Sequence, residues 1–232
     1  MEPQMAMILN IDTATEFASV CLTENERLLA MEISQEQKNH ASFLQPAIDK
    51  IRTDLNIDLT VIDAVAVTIG PGSYTGLRVG LASAKGLCFA LNKPLIAVNT
   101  LEVMALHAIR KMKENNTITD DFLFCPMIDA RRMEVFMAVY NDQLVPFIEP
   151  SAMILTENSF ADIKNRTLVF SGSGKNKLAD ISNNKNFVFL TFQHNAYDLS
   201  IISKQRFDNK LFASLAYCEP LYLKEFYNTR LQ

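Results

Sequence analysis

The sequence predicts an α/β protein with mixed sheets and two lobes. Three short apolar segments follow one another closely near the N-terminus, which is typical of an antiparallel meander. Helical and strand patterns then alternate, which favours parallel strands joined by helices. From residue 122 a second, looser series of strands and helices begins. We therefore expect a first lobe over 1–103 and a second over 104–232, with a C-terminal segment that packs back on the first.

Apolar periodicity predicts the elements of the first lobe. Short apolar or β-branched runs predict strands at 7–11, 18–22, 28–33, 64–69 and 95–98. Asn25 lies between two of these runs as a turn residue. Apolar residues at helical spacing predict a helix over 42–55, and a further helix begins with Thr100 as its N-cap.

The second lobe has fewer clear signals. Apolar runs predict strands at 122–128, 134–140 and 168–170. The first two form a hairpin around Asp129, Ala130, Arg131 and Arg132, and the third ends in the sequence SGSG. A helix is expected over about 196–204, followed by the segment PLYLKEF.

Composition excludes several classes of protein. The 232-residue chain carries a formal charge of −4, which argues against a basic nucleic-acid surface on this chain by itself. It contains no apolar run of the roughly 18 residues that a membrane helix needs, and its N-terminus lacks the basic region of a secretory signal. The four cysteines form no C-x-x-C pair, so we expect reduced core thiols in a cytoplasmic protein.

The chain is poor in glycine except at one place. Five of its seven glycines lie between Gly70 and Gly86, where a predicted buried strand enters the sequence IGPGSYTGLR and a helix to about Leu91 leaves it. A strand, a glycine turn and a helix can bind an anion at the helix N-terminus, but the spacing matches no standard phosphate loop. The alternative is a tight turn in which Ser73 caps the helix.

The helix after this turn carries small residues on one face, among them Gly76, Gly80 and Ala84. Glycine within a helix costs about 1 kcal/mol relative to alanine, so we expect another backbone to approach closely. Packing on the protein's own sheet and packing against a partner subunit are both open. Arg78 in the first turn has the wrong sign for the helix dipole, so we expect it to meet an acid or a bound anion.

Five segments together resemble the TsaB family, the bacterial partners of TsaD transferases in tRNA threonylcarbamoyladenosine synthesis. They read ILNIDTAT, NHASFLQPAID, GPGSYTGLRVGLASAKGLCFA, CPMIDARRMEVFMAVY and CEPLYLKEF, and they span nearly the whole chain. The glycine-rich segment is the most specific, whereas residues 141–217 match poorly. The resemblance implies an actin/Hsp70/sugar-kinase-like (ribonuclease H-like) fold of two related lobes, with the second lobe reduced.

The resemblance also implies where a nucleotide pocket would lie. Its remnant would consist of Asp12, Thr13, Thr15, Asp129, Arg131, Gly172 and Gly174. The partner surface would lie on the two helices of the first lobe, at Phe43, Ala47, Ile51, Ser73, Tyr74, Gly76, Leu77, Gly80, Ser83 and Ala84. On this basis we expect replacement of Gly80 by leucine to weaken assembly and to leave the fold largely intact.

The resemblance implies one function, and the superfamily offers a second. TsaD-type enzymes carry an H-x-x-x-H metal pair, but His40, His107 and His194 are far apart in this sequence, so we expect no such metal site and no catalytic residue. The first hypothesis is a non-catalytic subunit that forms a heterodimer with TsaD, works with TsaE, forms a homodimer when alone, and meets tRNA only through the complex. ATP or ADP would then bind at the interface of the complex, and the chain would support threonylcarbamoyl transfer to adenosine 37 of tRNAs that read ANN codons. The alternative is an ATP-dependent small-molecule kinase of the same superfamily.

Overall fold

The computed structural model describes residues 5–34, 36, 39–115 and 122–224. Within these residues the chain forms two compact units. The first contains the described residues up to His107 together with Gln193–Pro220, and the second contains Ala108–Phe192 and the described residues from Leu221. The last two residues of the PLYLKEF segment lie outside the described residues.

The first unit is a five-stranded mixed sheet with helices on both faces. Its strands are β1 (Met7–Asp12), β2 (Ser19–Glu24), β3 (Arg27–Ile33), β4 (Ala64–Gly70) and β5 (Leu95–Asn99). They are arranged in the order β3-β2-β1-β4-β5, with β1, β2 and β3 antiparallel and β4 and β5 parallel to β1. The helices of this unit are α1 (His40–Asp54), α2 (Tyr74–Leu91), the first part of α3 (Thr100–Glu114) and α5 (Ala196–Asp208). A short 3-10 turn at Leu59–Val61 precedes β4.

The second unit repeats this arrangement. Its strands are β6 (Phe122–Asp129), β7 (Glu134–Tyr140), β8 (Pro146–Ile154), β9 (Thr167–Ser171) and β10 (Phe187–Phe189), in the order β10-β9-β6-β7-β8. The first three strands are again antiparallel, and the last two are again parallel to the first. A 3-10 turn at Ala161–Ile163 and the short helix α4 (Lys175–Ala179) complete it. The shared strand order confirms the predicted fold class of two related α/β units with mixed sheets.

The two faces of strand β1 explain where the helices of the first unit lie. Leu9 and Ile11 belong to the apolar core that α1 and α2 bury against the sheet. Asn10 and Asp12 alternate with them and so point to the opposite face, where α5 packs on β1, β2, β4 and β5. The residues of α5 therefore belong to the first unit, although the sequence division at 103 and 104 places them in the second.

Two of the three predicted turn and cap residues of the first unit are confirmed. Asn25 adopts a left-handed conformation in the β2–β3 turn, and Ser73 caps α2 by accepting the Gly76 N–H at 3.2 Å, both as expected. The capping prediction for Thr100 is wrong. The Asn99 side chain accepts the Leu101 N–H at 2.8 Å, because asparagine one residue earlier reaches the second amide of the helix.

Strand β8, strand β10 and helix α4 have no counterpart in the sequence prediction. β8 contains Pro146 and Pro150, which argue against a strand inside a sheet. It lies at the edge of its sheet, where one side of the strand needs no partner, so proline is tolerated. β10 has three residues and α4 has five, too few for periodicity to identify them.

Cysteine and membrane predictions are consistent with this fold. All four cysteines are free, with Cys21, Cys88 and Cys125 buried and Cys218 half-buried. Among the described helices, none is long and apolar enough to cross a bilayer.

Candidate functional site

The site is built around Asp12, the last residue of β1, whose side chain is only 1% exposed. One carboxylate oxygen, Oδ1, accepts the Ala14 N–H at 3.1 Å and the Thr68 hydroxyl at 2.8 Å. The other oxygen, Oδ2, lies 3.1 Å from Nε2 of His194, a side chain that is also buried. Both oxygens of this carboxylate therefore contact groups of the protein itself.

The two groups of this pair hold each other in the charged state. Burial alone would raise the pKa of Asp12, but the positive charge of His194 and the hydrogen bonds to Oδ1 lower it below its ordinary value. Burial alone would lower the pKa of His194, but the carboxylate of Asp12 raises it above its ordinary value, with a further contribution from Asp198. Each group of the pair therefore favours the charged state of the other.

A second histidine–aspartate pair lies beside the first. Nδ1 of His107 on α3 is 2.7 Å from Oδ2 of Asp198 on α5, and both side chains are buried. The same Asp198 oxygen accepts the Asn195 N–H at 3.1 Å, and Asn195 in turn caps α5. Asp198 thus completes a capping box and anchors α5 to α3.

The loop after β1, residues 12–15, is covered by the glycine-rich turn and the start of α2. The Ser73 N–H donates to the Ala14 carbonyl at 2.7 Å, and the Thr13 hydroxyl donates to the Gly76 carbonyl at 2.8 Å. Thr13 and Ala14 are fully buried, and Thr15 is half-buried. Of the nucleotide-pocket residues expected in this unit, Asp12 and Thr13 are therefore enclosed by protein.

The glycines of this region are required by close packing. A Cβ at Gly72 would lie 2.2 Å from the Ala14 carbonyl oxygen, and one at Gly76 would lie 2.1 Å from the Thr13 carbonyl oxygen. A Cβ at Gly80 would lie 2.2 Å from the Thr13 hydroxyl oxygen. Of the two alternatives for the small-residue face, packing within the chain therefore holds for Gly76 and Gly80. Replacement of Gly80 by leucine, which was expected to leave the fold largely intact, is incompatible with the buried loop.

The residues expected at the partner surface divide into two groups. Six of them are buried within the first unit: Ala47, Ile51, Gly76, Leu77, Gly80 and Ala84. Phe43, Ser73 and Ser83 are half-buried, and Tyr74 is exposed. Six of the ten predicted residues thus pack inside the first unit and are not accessible to a partner, whereas a partner contact through Phe43, Ser73, Tyr74 and Ser83 stays a prediction.

The outer face of α2, formed by Val79, Ala82, Gly86 and Phe89, lies outside the predicted partner surface. Ala82 and Gly86 are exposed, Val79 is half-buried, and Phe89 is 82% exposed. A Cβ at Gly86 would meet no atom of the described residues within 4 Å. The sequence has Phe89 three residues after Gly86, but periodicity alone does not tell which apolar face of the helix is exposed.

Arg78 lies next to this face, on the exposed side of α2. Its guanidinium carbon stands 4.0 Å from the centre of the Tyr74 ring, a cation–π contact. The sequence anticipated an acid or an anion at Arg78, and that expectation stays a prediction.

The expected pocket residues of the second unit form a local group around the β6–β7 hairpin. Asp129 accepts hydrogen bonds from Lys177 at 2.7 Å and from the Arg131 N–H at 2.6 Å. The Asp129 N–H donates to the Ser173 hydroxyl at 3.1 Å, which brings the 172–174 turn beside the hairpin. A Cβ at Gly174 would lie 2.8 Å from a Val135 methyl group, so this glycine is required by packing.

The histidines occupy three different settings in the first unit. His40 begins α1 with its ring against Gly76, and burial lowers its pKa below the ordinary value. His107 and His194 each face an aspartate. In the part of the chain that the structure describes, no cluster of three or more His, Cys, Asp or Glu side chains is arranged to hold a metal ion.

Comparison with known proteins identifies the family. A family model described as tRNA N6-adenosine threonylcarbamoyltransferase, TsaD, matches residues 28–218. The tRNA threonylcarbamoyladenosine biosynthesis protein TsaB of Bacillus subtilis is 29% identical over 211 residues, which cover 86% of this chain and 87% of that protein. The chain belongs to the TsaB branch of this transferase family.

Other TsaB-family members agree with this assignment. The TsaB protein of Escherichia coli is 38% identical over 134 residues, which cover 58% of this chain and 54% of that protein. The crystal structure named YeaZ from Pseudomonas aeruginosa is 26% identical and superposes with a TM-score of 0.77, covering 94% of this chain and 100% of that one. The resemblance found in the sequence is therefore confirmed, and the TsaB-like fold covers nearly the whole chain.

Proposed function

We propose that this chain is a non-catalytic, cytoplasmic subunit that supports TsaD in transferring a threonylcarbamoyl group to adenosine 37 of tRNA. Family membership supports the pathway, since relatives across most of the chain are named as threonylcarbamoyladenosine biosynthesis proteins. The observation that carries the non-catalytic role is the enclosure of loop 12–15. Its carboxylate contacts His194, Thr68 and Ala14, and its Thr13 hydroxyl is bonded to Gly76.

A nucleotide phosphate would have to displace several of these contacts. The Asp12 carboxylate already has the His194 imidazolium as its counter-ion, and a buried ion pair that loses one partner is strongly destabilised. In this proposal ATP or ADP binds where TsaD and this chain meet, and tRNA is bound by the complex. The net charge of −4 fits a subunit that leaves the tRNA to its partner.

The outer face of α2 is the proposed contact with TsaD, and with a second copy when the chain is alone. Phe89 is 82% exposed and lies on the same stripe of the helix as Gly86. Gly86 is a mid-helix glycine that has no packing role among the described residues. Glycine at this position costs about 1 kcal/mol relative to alanine, and close approach of a partner helix accounts for it. Exposed apolar surface of this kind is typical of an interaction site.

This proposal predicts that Phe89→Ser weakens binding to TsaD by about tenfold or more, as expected for a central apolar anchor. Dissociation constants from isothermal titration with purified TsaD give the measurement. Phe147→Ser is the matched control, since Phe147 is a 53% exposed phenylalanine on β8 of the second unit. Equal affinity of the Phe89→Ser variant and the unaltered chain would refute the assigned surface.

A further inference from the structure

Four buried titratable side chains, two aspartates and two histidines, form two pairs in the first unit. They are Asp12 on β1, His194 just before α5, Asp198 on α5 and His107 on α3. His194 lies 3.1 Å from Asp12, and His107 lies 2.7 Å from Asp198. Asp198 also acts electrostatically on His194, so the two pairs form one unit, which we call the buried charge cluster.

The position of this cluster along the chain is unusual. The chain leaves the first unit after His107 and returns to it at Gln193, one residue before His194. A histidine of the cluster therefore lies at or next to each crossing. The two aspartates of the cluster, Asp12 and Asp198, lie on strand β1 and in the first turn of α5.

Polar contacts help to fix α5 on the sheet. The Ser203 hydroxyl donates to Asn10 Oδ1 at 2.6 Å, and the Ala196 N–H donates to the Ser19 hydroxyl at 2.9 Å. Asp198, Ser200 and Ser203 of α5 are all buried against the first unit. Polar contacts of this kind stabilise docking only while each buried group keeps its partner.

We propose that the buried charge cluster is a protonation-dependent clamp that holds both chain crossings on the first unit, and that loss of the His194 proton loosens residues 193–208. Without that proton the Asp12 carboxylate remains buried without its counter-ion, and this costs free energy that opening of the segment relieves. All residues of the clamp belong to this chain, so the clamp does not depend on the proposed role with TsaD.

The other titratable groups near the cluster do not replace His194. His40 on α1 is also influenced by the Asp12 charge, but burial lowers its pKa, so it loses its proton at a lower pH than His194 does. Cys21 on β2 feels the Asp198 charge, but burial raises the pKa of this thiol well above its usual range. His107 contacts Asp198 at 2.7 Å, whereas the histidine in contact with Asp12 is His194. His194 is therefore the group whose proton decides the charge balance at Asp12.

Hydrogen exchange of the whole chain, followed by mass spectrometry between pH 5.5 and 9, tests this proposal. After correction for the intrinsic pH dependence of exchange, we expect protection of 193–208 to be constant up to about pH 6.5. It should then fall about tenfold per pH unit up to the raised pKa of His194. The central strand β4 should keep its protection over the same range.

Two variants and one direct titration complete the test. His194→Gln should remove the pH dependence at 193–208, whereas Lys50→Gln, which breaks exposed ion pairs to Glu32 and Asp54, should retain it. Imidazole resonances of the unaltered chain give the His194 titration even if the His194→Gln variant does not fold. Protection of 193–208 that is independent of pH, or a His194 resonance that titrates at or below 6.5, would overturn the clamp.

Discussion

At the scale of single residues, the Asp12–His194 pair decides how the first unit is stabilised. Asp12 directly follows the strand predicted at 7–11, and the family resemblance placed it in the nucleotide-pocket remnant. Its partner could not be identified, since His194 is 182 positions later and reaches Asp12 only through the return of α5. Pairings at such separation leave no periodic signal in one sequence.

This pair predicts a pH dependence of global stability. The raised pKa of His194 stabilises the fold below about pH 6.5, and this contribution is lost as pH rises through the folded pKa. The lowered pKa of Asp12 stabilises the fold above about pH 4, and this contribution is lost as pH falls through its folded pKa. His40 contributes to stability with the opposite pH dependence, because its lowered pKa stabilises the fold more as pH rises.

The His194 contribution is isolated by comparing two chains. The difference in unfolding free energy between the unaltered chain and His194→Gln should be larger at pH 5.5 than at pH 8.5, by about 1.4 kcal/mol for each pKa unit gained on folding. Urea unfolding followed by circular dichroism measures it. A difference that is the same at both pH values would show that folding does not raise the pKa of His194.

At the scale of elements, the two faces of helix α2 have different surroundings. Its inner face, with Gly76 and Gly80, lies against loop 12–15, and its outer face carries Gly86 and Phe89. The sequence predicted the helix, its Ser73 cap and the need for close approach. It could not tell which glycines meet the protein's own backbone, because this depends on how the helix is rotated against the sheet.

The two faces predict opposite effects of the same substitution. Gly76→Ala should destabilise the chain by about 2 kcal/mol or more, because the new Cβ would lie 2.1 Å from the Thr13 carbonyl oxygen. Gly86→Ala should stabilise the chain by up to about 1 kcal/mol, since its Cβ meets no described atom within 4 Å and alanine favours the helix. Urea unfolding of both variants provides the comparison, and equal effects would contradict the assigned orientation of α2.

At the scale of the whole molecule, the fold repeats one strand order in two units. The sequence predicted the strands of the first unit within one or two residues, because its runs are apolar and bounded by turn residues. The second unit was less predictable, since its edge strand contains prolines and its aromatic core is formed by residues far apart, such as Phe160, Phe170 and Phe187. The return of α5 to the first unit is a tertiary feature that element patterns do not specify.

We predict that this chain supports threonylcarbamoyl transfer without performing it. Purified chain, TsaD, TsaE, tRNA, ATP and the threonylcarbamoyl donor are combined, and each protein is omitted in turn while modified adenosine is quantified. We predict that omission of this chain abolishes modification, and that the chain alone with ATP and magnesium shows no turnover. Phosphoryl transfer or ATP hydrolysis by the chain alone, or full modification in its absence, would contradict the account.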